Sequence, residues 1–548
     1  MTRILVIAVL VTLPLGAGVS EAGAQVSHHA DGALGSVDFA VSCSAPAQAE
    51  FNRAVGLLHH MTYPRARESF QQVAKLDPSC AMAHWGIAMT LFQPLWPTRP
   101  GPDELRLGWA EVQKARALDL RTDRERLFVD AAAAFFEPGT WDYWQRIGRW
   151  EEAMRRAYAA LPRDPEVTAF RALSLLATAP SDKVTRDHAD EAAALLLAMY
   201  EQQPEHPGAM HYLVHANDTP GRERESLKIV RAYGTAAPRN PHALHMPTHI
   251  YTRLGDWGAV IDGNQAAAEI ALAHPAGDRG QFVWDEFPHA IEYLVYAYLQ
   301  MGEDGEALRQ LKRLTGTARL EPTLKTAFHL ASTQARYALE RRAWGEARAL
   351  APRDPSTLDW DRFKWPEAVT WFARGLGSVY EGRVQDAEAA RTRLQQLETA
   401  AGESGEQLFA RNIRVLRLAV DAWLAHAKGE KRGGERLMRE AAELEVSTPK
   451  HAVTPGPTLP AHELLGDLLL EQDQPAQALT AYERSLELYP RRFNSLLGAA
   501  RAARAAGDDA RARGFYQQLL EVAGNGTRQP ALSEARTFVA RARRKNAP

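Results

Sequence analysis

A stretch of 34 residues beginning at Leu459, LPAHELLGDLLLEQDQPAQALTAYERSLELYPRR, is followed at once by a second of the same length and pattern, FNSLLGAARAARAAGDDARARGFYQQLLEVAGNG, beginning at Phe493. Gly466 aligns with Ala500, Ala478 with Ala512 and Tyr482 with Tyr516, while Gly507 marks a turn. Such a period constrains the fold more than any other feature, because one unit cannot bury its apolar face alone and successive copies must stack. The small residues let two antiparallel helices approach closely, and the aromatic fills the space toward the next pair. The pattern predicts an all-α chain, an α-α superhelix built as a solenoid of antiparallel helix pairs.

The same offsets recur near the other end, in AQAEFNRAVGLLHHMTYPRARESFQQVAKLDP, at Ala54, Ala66, Phe70 and Pro78. Weaker hairpins turn at Gly302, with Ala307, and at Gly382, with Ala387. These windows resemble tetratricopeptide repeats. A chain of 548 residues exceeds what one compact core serves, and its Ala, Leu, Arg and Glu content with short Pro/Gly punctuation favours an elongated array. The expected division is a signal peptide over 1–24, an N-terminal segment over 25–45 and a degenerate solenoid over 46–450. A Pro-rich linker over 451–459, around the stiff TPGPTLP, then leads to a repeat pair over 460–525 and a last helix or tail over 526–548.

The first residues carry Arg3, an apolar run from Ile4 to Leu15 and Ala22-Gly23-Ala24, the layout of a cleaved secretory leader, which predicts a periplasmic or secreted protein. The apolar run is shorter than a membrane span and no later one is longer, so no span is expected. In an oxidising compartment Cys43 and Cys80 are expected to pair, pinning the N-terminal segment to the first hairpin. A net charge of -2 offers no field for nucleic acid, so none is expected as a partner. No GxSxG elbow, phosphate loop or CxxC is present.

Chemistry concentrates in the middle. Laid on the 34-residue frame, windows starting at Pro207, Pro241 and Pro288 each open with proline, a residue suited to a first helical turn. Gly208, His242 and His289 fall at the second place, His211, His245 and Glu292 at the fifth, and His215, His249 and Tyr296 at the ninth; Asp218 is at the twelfth. These places share one helix face, which in such a solenoid looks into the concave surface. His at i and i+4 can bring ring nitrogens to one ion. The expected metal ligands are therefore His211, His215, His245, His249, His289 and Glu292, with zinc or copper suited to imidazole and iron admitted by the carboxylates. Pro247 removes a helical bond within HMPTH and is expected to kink or split that helix. Outside the frame, His84, His188, His329, His426 and His462 read as packing histidines, and the aromatics of WDYWQRIGRW as core.

The stretches AEFNRAVGLLH, DPSCAMAHWGIAM, HPGAMHYLVHAND, PHALHMPTHIYTRLGDW, EYLVYAYLQ and ELLGDLLLE together resemble a family of exported bacterial tetratricopeptide repeat proteins, with HMPTHIY the most specific of them. The resemblance implies the solenoid fold across nearly the whole mature chain, and paired histidines at His211, His215, His245, His249 and His289. It leaves two functions open. One is a scaffold that binds a protein, peptide or other ligand beside a metal-binding histidine patch. The other is a metal-dependent hydrolase or oxidoreductase working through that patch, with any general base drawn from Asp218, Asp285, Glu286 or Glu292.

Overall fold

The computed structural model describes residues 32–96, 99–178, 180, 182–277, 280–524 and 526–545, so the leader reading over 1–24 lies outside the described residues. From Ala45 onward the chain forms a stack of helical hairpins. Ala45–His59 pairs with Tyr63–Leu76, Ala81–Thr90 with Pro102–Ala117, Asp123–Phe136 with Tyr143–Ala160, and Pro165–Leu176 with Asp182–Gln202. The central hairpins are Pro207–Asn217 with Leu227–Ala236, the split pair Pro241–His245 and Pro247–Leu254 with Trp257–Ala273, and Glu286–Gln300 with Asp304–Gly316. Then come Leu324–Glu340 with Trp344–Ala349, Lys364–Tyr380 with Val384–Glu403, Gln407–Ala427 with Lys431–Val446, Ala461–Glu471 with Pro475–Leu488, Phe493–Ala505 with Asp509–Ala523, and the closing helix Gln529–Lys545. A two-stranded ribbon, Pro275–Ala276 against Phe282–Val283, fills the insertion before the third histidine window. The fold is an all-α superhelix, and no described helix is long and apolar enough to cross a membrane.

The repeat pattern has its expected physical cause. Tyr482 is buried against Gly466 and Gly498, and a Cβ on either glycine would strike its ring. Gly302, Gly382 and Gly507 all take left-handed φ at the turns between paired helices, a conformation that costs other residues strain. Cys43 and Cys80 form a disulfide with Cα atoms 5.0 Å apart, tying the segment before the first helix to the cap of Ala81–Thr90.

Two contacts turn the open solenoid back on itself. Ala45–His59 touches Pro207–Asn217, and Glu286–Gln300 touches Phe493–Ala505. At the second, buried Arg492 reaches Tyr296 (2.8 Å), Glu340 (2.7 Å) and Glu463 (3.1 Å), so the C-terminal pair is fastened to the central hairpins by a charged, fully paired network. The linker region does not hang free. Residues 447–460 cross the first helices of several hairpins: Arg336 donates to the Pro457 and Gly456 carbonyls (2.9 and 3.0 Å), Lys450 pairs with Asp218, and His451 sits against Trp365 and Phe409. The concave surface is thus partly filled by the chain itself.

Gly255 shows how tight the closure is. Its φ is +65°, and a Cβ there would stand 2.6 Å from the Pro490 carbonyl oxygen, while the nearby Trp257 donates its indole N–H to the Arg491 carbonyl (3.0 Å). Gly255→Ala is expected to lower unfolding free energy by about 1–3 kcal/mol. Gly258→Ala, at an exposed helical position where a Cβ would meet only Oδ1 of Asp256 at 3.9 Å, should leave the melting temperature unchanged or slightly higher. Equal melting of the two variants would contradict this account of the closure.

Candidate metal centre

The helices bring the histidines together as two triads. Nε2 of His211 lies 3.1 Å from Nε2 of His215 and 3.0 Å from Nε2 of His242, and Nε2 of His245 lies 3.0 Å from Nε2 of His249. His289 completes the second group, and within each triad one ligand atom per residue lies within 4.8 Å of the others. Pro247 does split its helix, but Met246, shared by both halves, keeps helical dihedrals (φ -53°, ψ -41°), so the ladder breaks without turning the chain and His245 and His249 stay on one face. The third helix begins at Glu286, two residues before the expected Pro288, because the segment after the ribbon is already helical. Gly208, at the second place of the first window, has no room for a side chain: a Cβ would lie 2.7 Å from Nδ1 of His59.

The tautomers are set by what each Nδ1 touches. His211 donates Nδ1–H to the His59 carbonyl (2.6 Å). His245 donates to Oδ1 of Asn264 (2.7 Å), whose amide nitrogen is itself committed to the Val260 carbonyl (2.8 Å), which fixes the amide's orientation. His249 donates to Oδ2 of Asp218 (2.9 Å). His329 donates Nδ1–H to Oε2 of Glu292 (2.6 Å), so its Nε2 must accept, and what it accepts is Nδ1–H of His289 (2.8 Å). Nδ1 of His242 lies 3.2 Å from Oε1 of Glu286, close but off the line of an aligned hydrogen bond. In His211, His245, His249 and His289 the proton is held on Nδ1 and the lone pair lies on Nε2, which in His211, His245 and His249 faces a neighbouring nitrogen of its triad.

With Nδ1 of both His245 and His249 committed, their Nε2 lone pairs, 3.0 Å apart, repel unless a proton or a cation lies between them. A proton is disfavoured. Burial drives His211, His215, His245 and His289 well below the ordinary imidazole range, and burial with the Lys450 ammonium holds His249 down to about 4. A metal ion at its usual distance from imidazole would set neighbouring nitrogens about 2.9–3.4 Å apart for angles between square and tetrahedral. The three close separations, His211 to His215 and to His242 and His245 to His249, fall in that range, and the remaining ones lie within 4.8 Å.

A third cluster serves as contrast. His206 accepts at Nδ1 from the Ala209 amide (3.3 Å) and faces Oε1 of Glu166 with Nε2 (3.0 Å); His59 gives Nε2–H to Oε2 of the same carboxylate (2.9 Å) and accepts at Nδ1 from the Tyr212 hydroxyl (3.0 Å). Burial favours the neutral acid, but His206 and His59 outweigh it and keep Glu166 ionised. Here every donor meets an acceptor, so the cluster closes as hydrogen bonds and supports His211 through the His59 carbonyl.

Of the ligands expected from sequence, five histidines stand in the triads. Glu292 does not offer them an oxygen: it is engaged by His329, Ser332 (2.6 Å) and Arg336 (3.3 Å), and reaches the second triad only through His329 and His289. His242 joins the first triad, and its place in the repeat frame was the signal for it. His329, read as packing, is the acceptor that orients His289, a role that only the fold reveals. The other candidate bases are engaged too. Asp218 pairs with Lys450 and Arg253 (2.8 Å), Glu286 pairs with Lys325, and Asp285 lies 3.4 Å from that same lysine. Burial opposes ionisation of Asp218 and Glu286, yet these cations hold both well below the usual carboxylate range.

Beside the first triad is a cavity of about 670 Å³ whose wall includes His215, Asp218, Trp96, Tyr143, Trp144 and Lys450. The WDYWQRIGRW segment therefore divides: Trp150 packs in the core against Phe92 (4.5 Å between rings), whereas Tyr143 and Trp144 face the cavity under the Arg99 guanidinium.

Residues 464–530 match the family described as tetratricopeptide repeat. That segment carries tetratricopeptide repeats. No curated protein sequence matches it. Among solved structures, human IFIT1 as a dimer with m7Gppp-AAAA is 12% identical with a TM-score of 0.35, covering 81% of this chain and 90% of that one. Yeast Tom70 is 12% identical at 0.35, covering 92% and 97%, and the Cut9-Hcn1 hetero-tetramer of APC/C is 14% identical at 0.29, covering 90% of each. Values this low carry nothing about ligands.

Two buried histidines outside the triads set an expected pH dependence. Burial holds His60 and His451 down to about 3 in the folded chain, against about 6.5 unfolded. The unfolded state then binds more protons below about 6.5, so stability is intact above that pH and falls as pH drops toward 3. The metal-free protein should melt several degrees lower at pH 5 than at pH 7.5; equal melting would contradict it.

Proposed function

We propose that this chain is an exported repeat scaffold that holds transition-metal ions in its two imidazole triads and admits a small ligand, through the adjoining cavity, to the first. The observation that carries the reading is the commitment of the outer nitrogens. His211, His245, His249 and His289 each give Nδ1–H to a fixed acceptor, and the Nε2 lone pairs of His245 and His249 are left 3.0 Å apart, a metal-ligand spacing. An all-imidazole set suits zinc or copper. Export is supported by the leader-like first residues and by the disulfide, a bond that persists in oxidising compartments. Because residues 447–460 occupy part of the concave surface, a ligand reaching the triads is a small molecule, and a protein or peptide partner would engage another face.

The metalloenzyme reading draws on one observation, the position of His215 in the cavity wall, which gives the first triad three protein ligands and an approachable side. Asp218, Asp285, Glu286 and Glu292 are each held by a buried cation, which weakens them as general bases even though Oε2 of Glu286 has no hydrogen-bond partner, and ranks hydrolysis below binding.

Elemental analysis of protein purified without added metal or chelator, set beside His211→Ala/His249→Ala, tests the reading. The expected result is about two equivalents of zinc or copper, strongly reduced in the variant, and a chelator-induced drop in melting temperature seen only in the metal-loaded native protein. Protein that stays empty when offered zinc, copper and iron would overturn it.

A further inference from the structure

The cavity beside the first triad is walled by aromatic rings at one part and by charge at another. Half-buried Trp96, Tyr143 and Trp144 line it, and later hairpins add Trp365 and Phe409. Trp96 also packs against the His242 ring (5.0 Å between centroids), which carries the aromatic wall up to the triad that His215 opens to the cavity. Flat apolar faces of this kind take planar rings, stacked or edge-on, and a volume of about 670 Å³ suits a small organic molecule. His451 packs on Trp365 (6.0 Å) and Phe409 (5.7 Å), and its neighbour in the chain is Lys450, so a cation stands next to the aromatic faces.

The charge at that end is not balanced. Two cations, Lys450 and Arg253 (2.8 Å), share the single carboxylate of Asp218; all three residues line the cavity, and the cationic side chains keep 15 and 10% of their surface exposed. Elsewhere in the wall, Arg99 is matched by Glu406 (2.8 Å) and Arg484 by Glu487 (2.7 Å). Burial pushes the Glu445 carboxyl up to about 8, so at neutral pH it supplies little counter-charge. The opposite excess, Asp285 and Glu286 on Lys325, is not part of the wall. One positive charge in a largely dry site is costly until an anion meets it. We propose, resting on the reading above that a small ligand enters by this cavity, that the ligand is an aromatic monoanion: an aryl carboxylate whose ring lies on the aromatic wall and whose charge is met by Lys450 and Arg253. Metal ions held by neutral imidazoles would add positive charge and strengthen the same preference.

The test is calorimetric titration of the protein as isolated with three probes of one ring system, 2-naphthoate, neutral 2-naphthylmethanol and cationic 2-naphthylmethylammonium, with metal content measured on the same sample. Naphthoate should bind one to one and about tenfold or more tighter than the alcohol, with the ammonium weaker still. Lys450→Gln, which evens the charge count, should bring naphthoate and the alcohol to within about twofold of each other, whereas Trp144→Ala should weaken both alike. No naphthoate binding, equal binding of naphthoate and the alcohol by the native protein, or a preference that survives in Lys450→Gln would overturn the proposal. If Lys450→Gln does not fold, the three probes on the native protein decide. A metal-loaded sample without the preference overturns this proposal and leaves the metal reading standing; a sample that stays metal-free yet prefers naphthoate does the reverse.

Discussion

The centre of this molecule depends on where a few protons sit. A histidine that gives its Nδ1 proton to a fixed oxygen has a lone pair at Nε2 and nowhere else, and the repeat scaffold aims two such lone pairs, those of His245 and His249, at one another. In water that arrangement would relax or take up a proton. Here burial makes the proton expensive and the backbone makes relaxation expensive, which leaves a soft, imidazole-seeking cation as the natural occupant. The nearby His59–Glu166–His206 cluster uses the same residue types with the opposite proton assignment and needs nothing more.

Closure of the solenoid makes this burial possible. An open stack of hairpins would expose its concave face, but Arg492 ties the last repeats to the central ones, and residues 447–460 lie across the first helices with Lys450 inserted beside Asp218 and His249. The cost of burying these charges is offset only because each is paired. A segment that reads from sequence as a stiff connector is therefore also part of the wall around the site.

Much of the fold was legible because a repeat writes its period directly into sequence: Gly302, Gly382 and Gly507 mark turns, and Tyr482 with its facing glycines marks a close helix contact. The frame also placed all six triad histidines on one face. It could not resolve the partners of each ring, since those come from other elements of the fold: His59 for His211, Asn264 for His245, His329 for His289. Glu292 shows the limit most clearly. Helical register put it on the right face, but Arg336 and His329, from the next hairpin, claim its oxygens.

Anomalous diffraction from crystals of the protein as isolated, collected on both sides of the copper and zinc absorption edges, tests the central claim most directly. One peak is expected where Nε2 of His211, His215 and His242 converge, and a second where the ring nitrogens of His245, His249 and His289 converge. Crystals soaked with either metal that show no peak at either point, with the imidazoles hydrogen-bonded to one another through protonated Nε2 atoms, would contradict it.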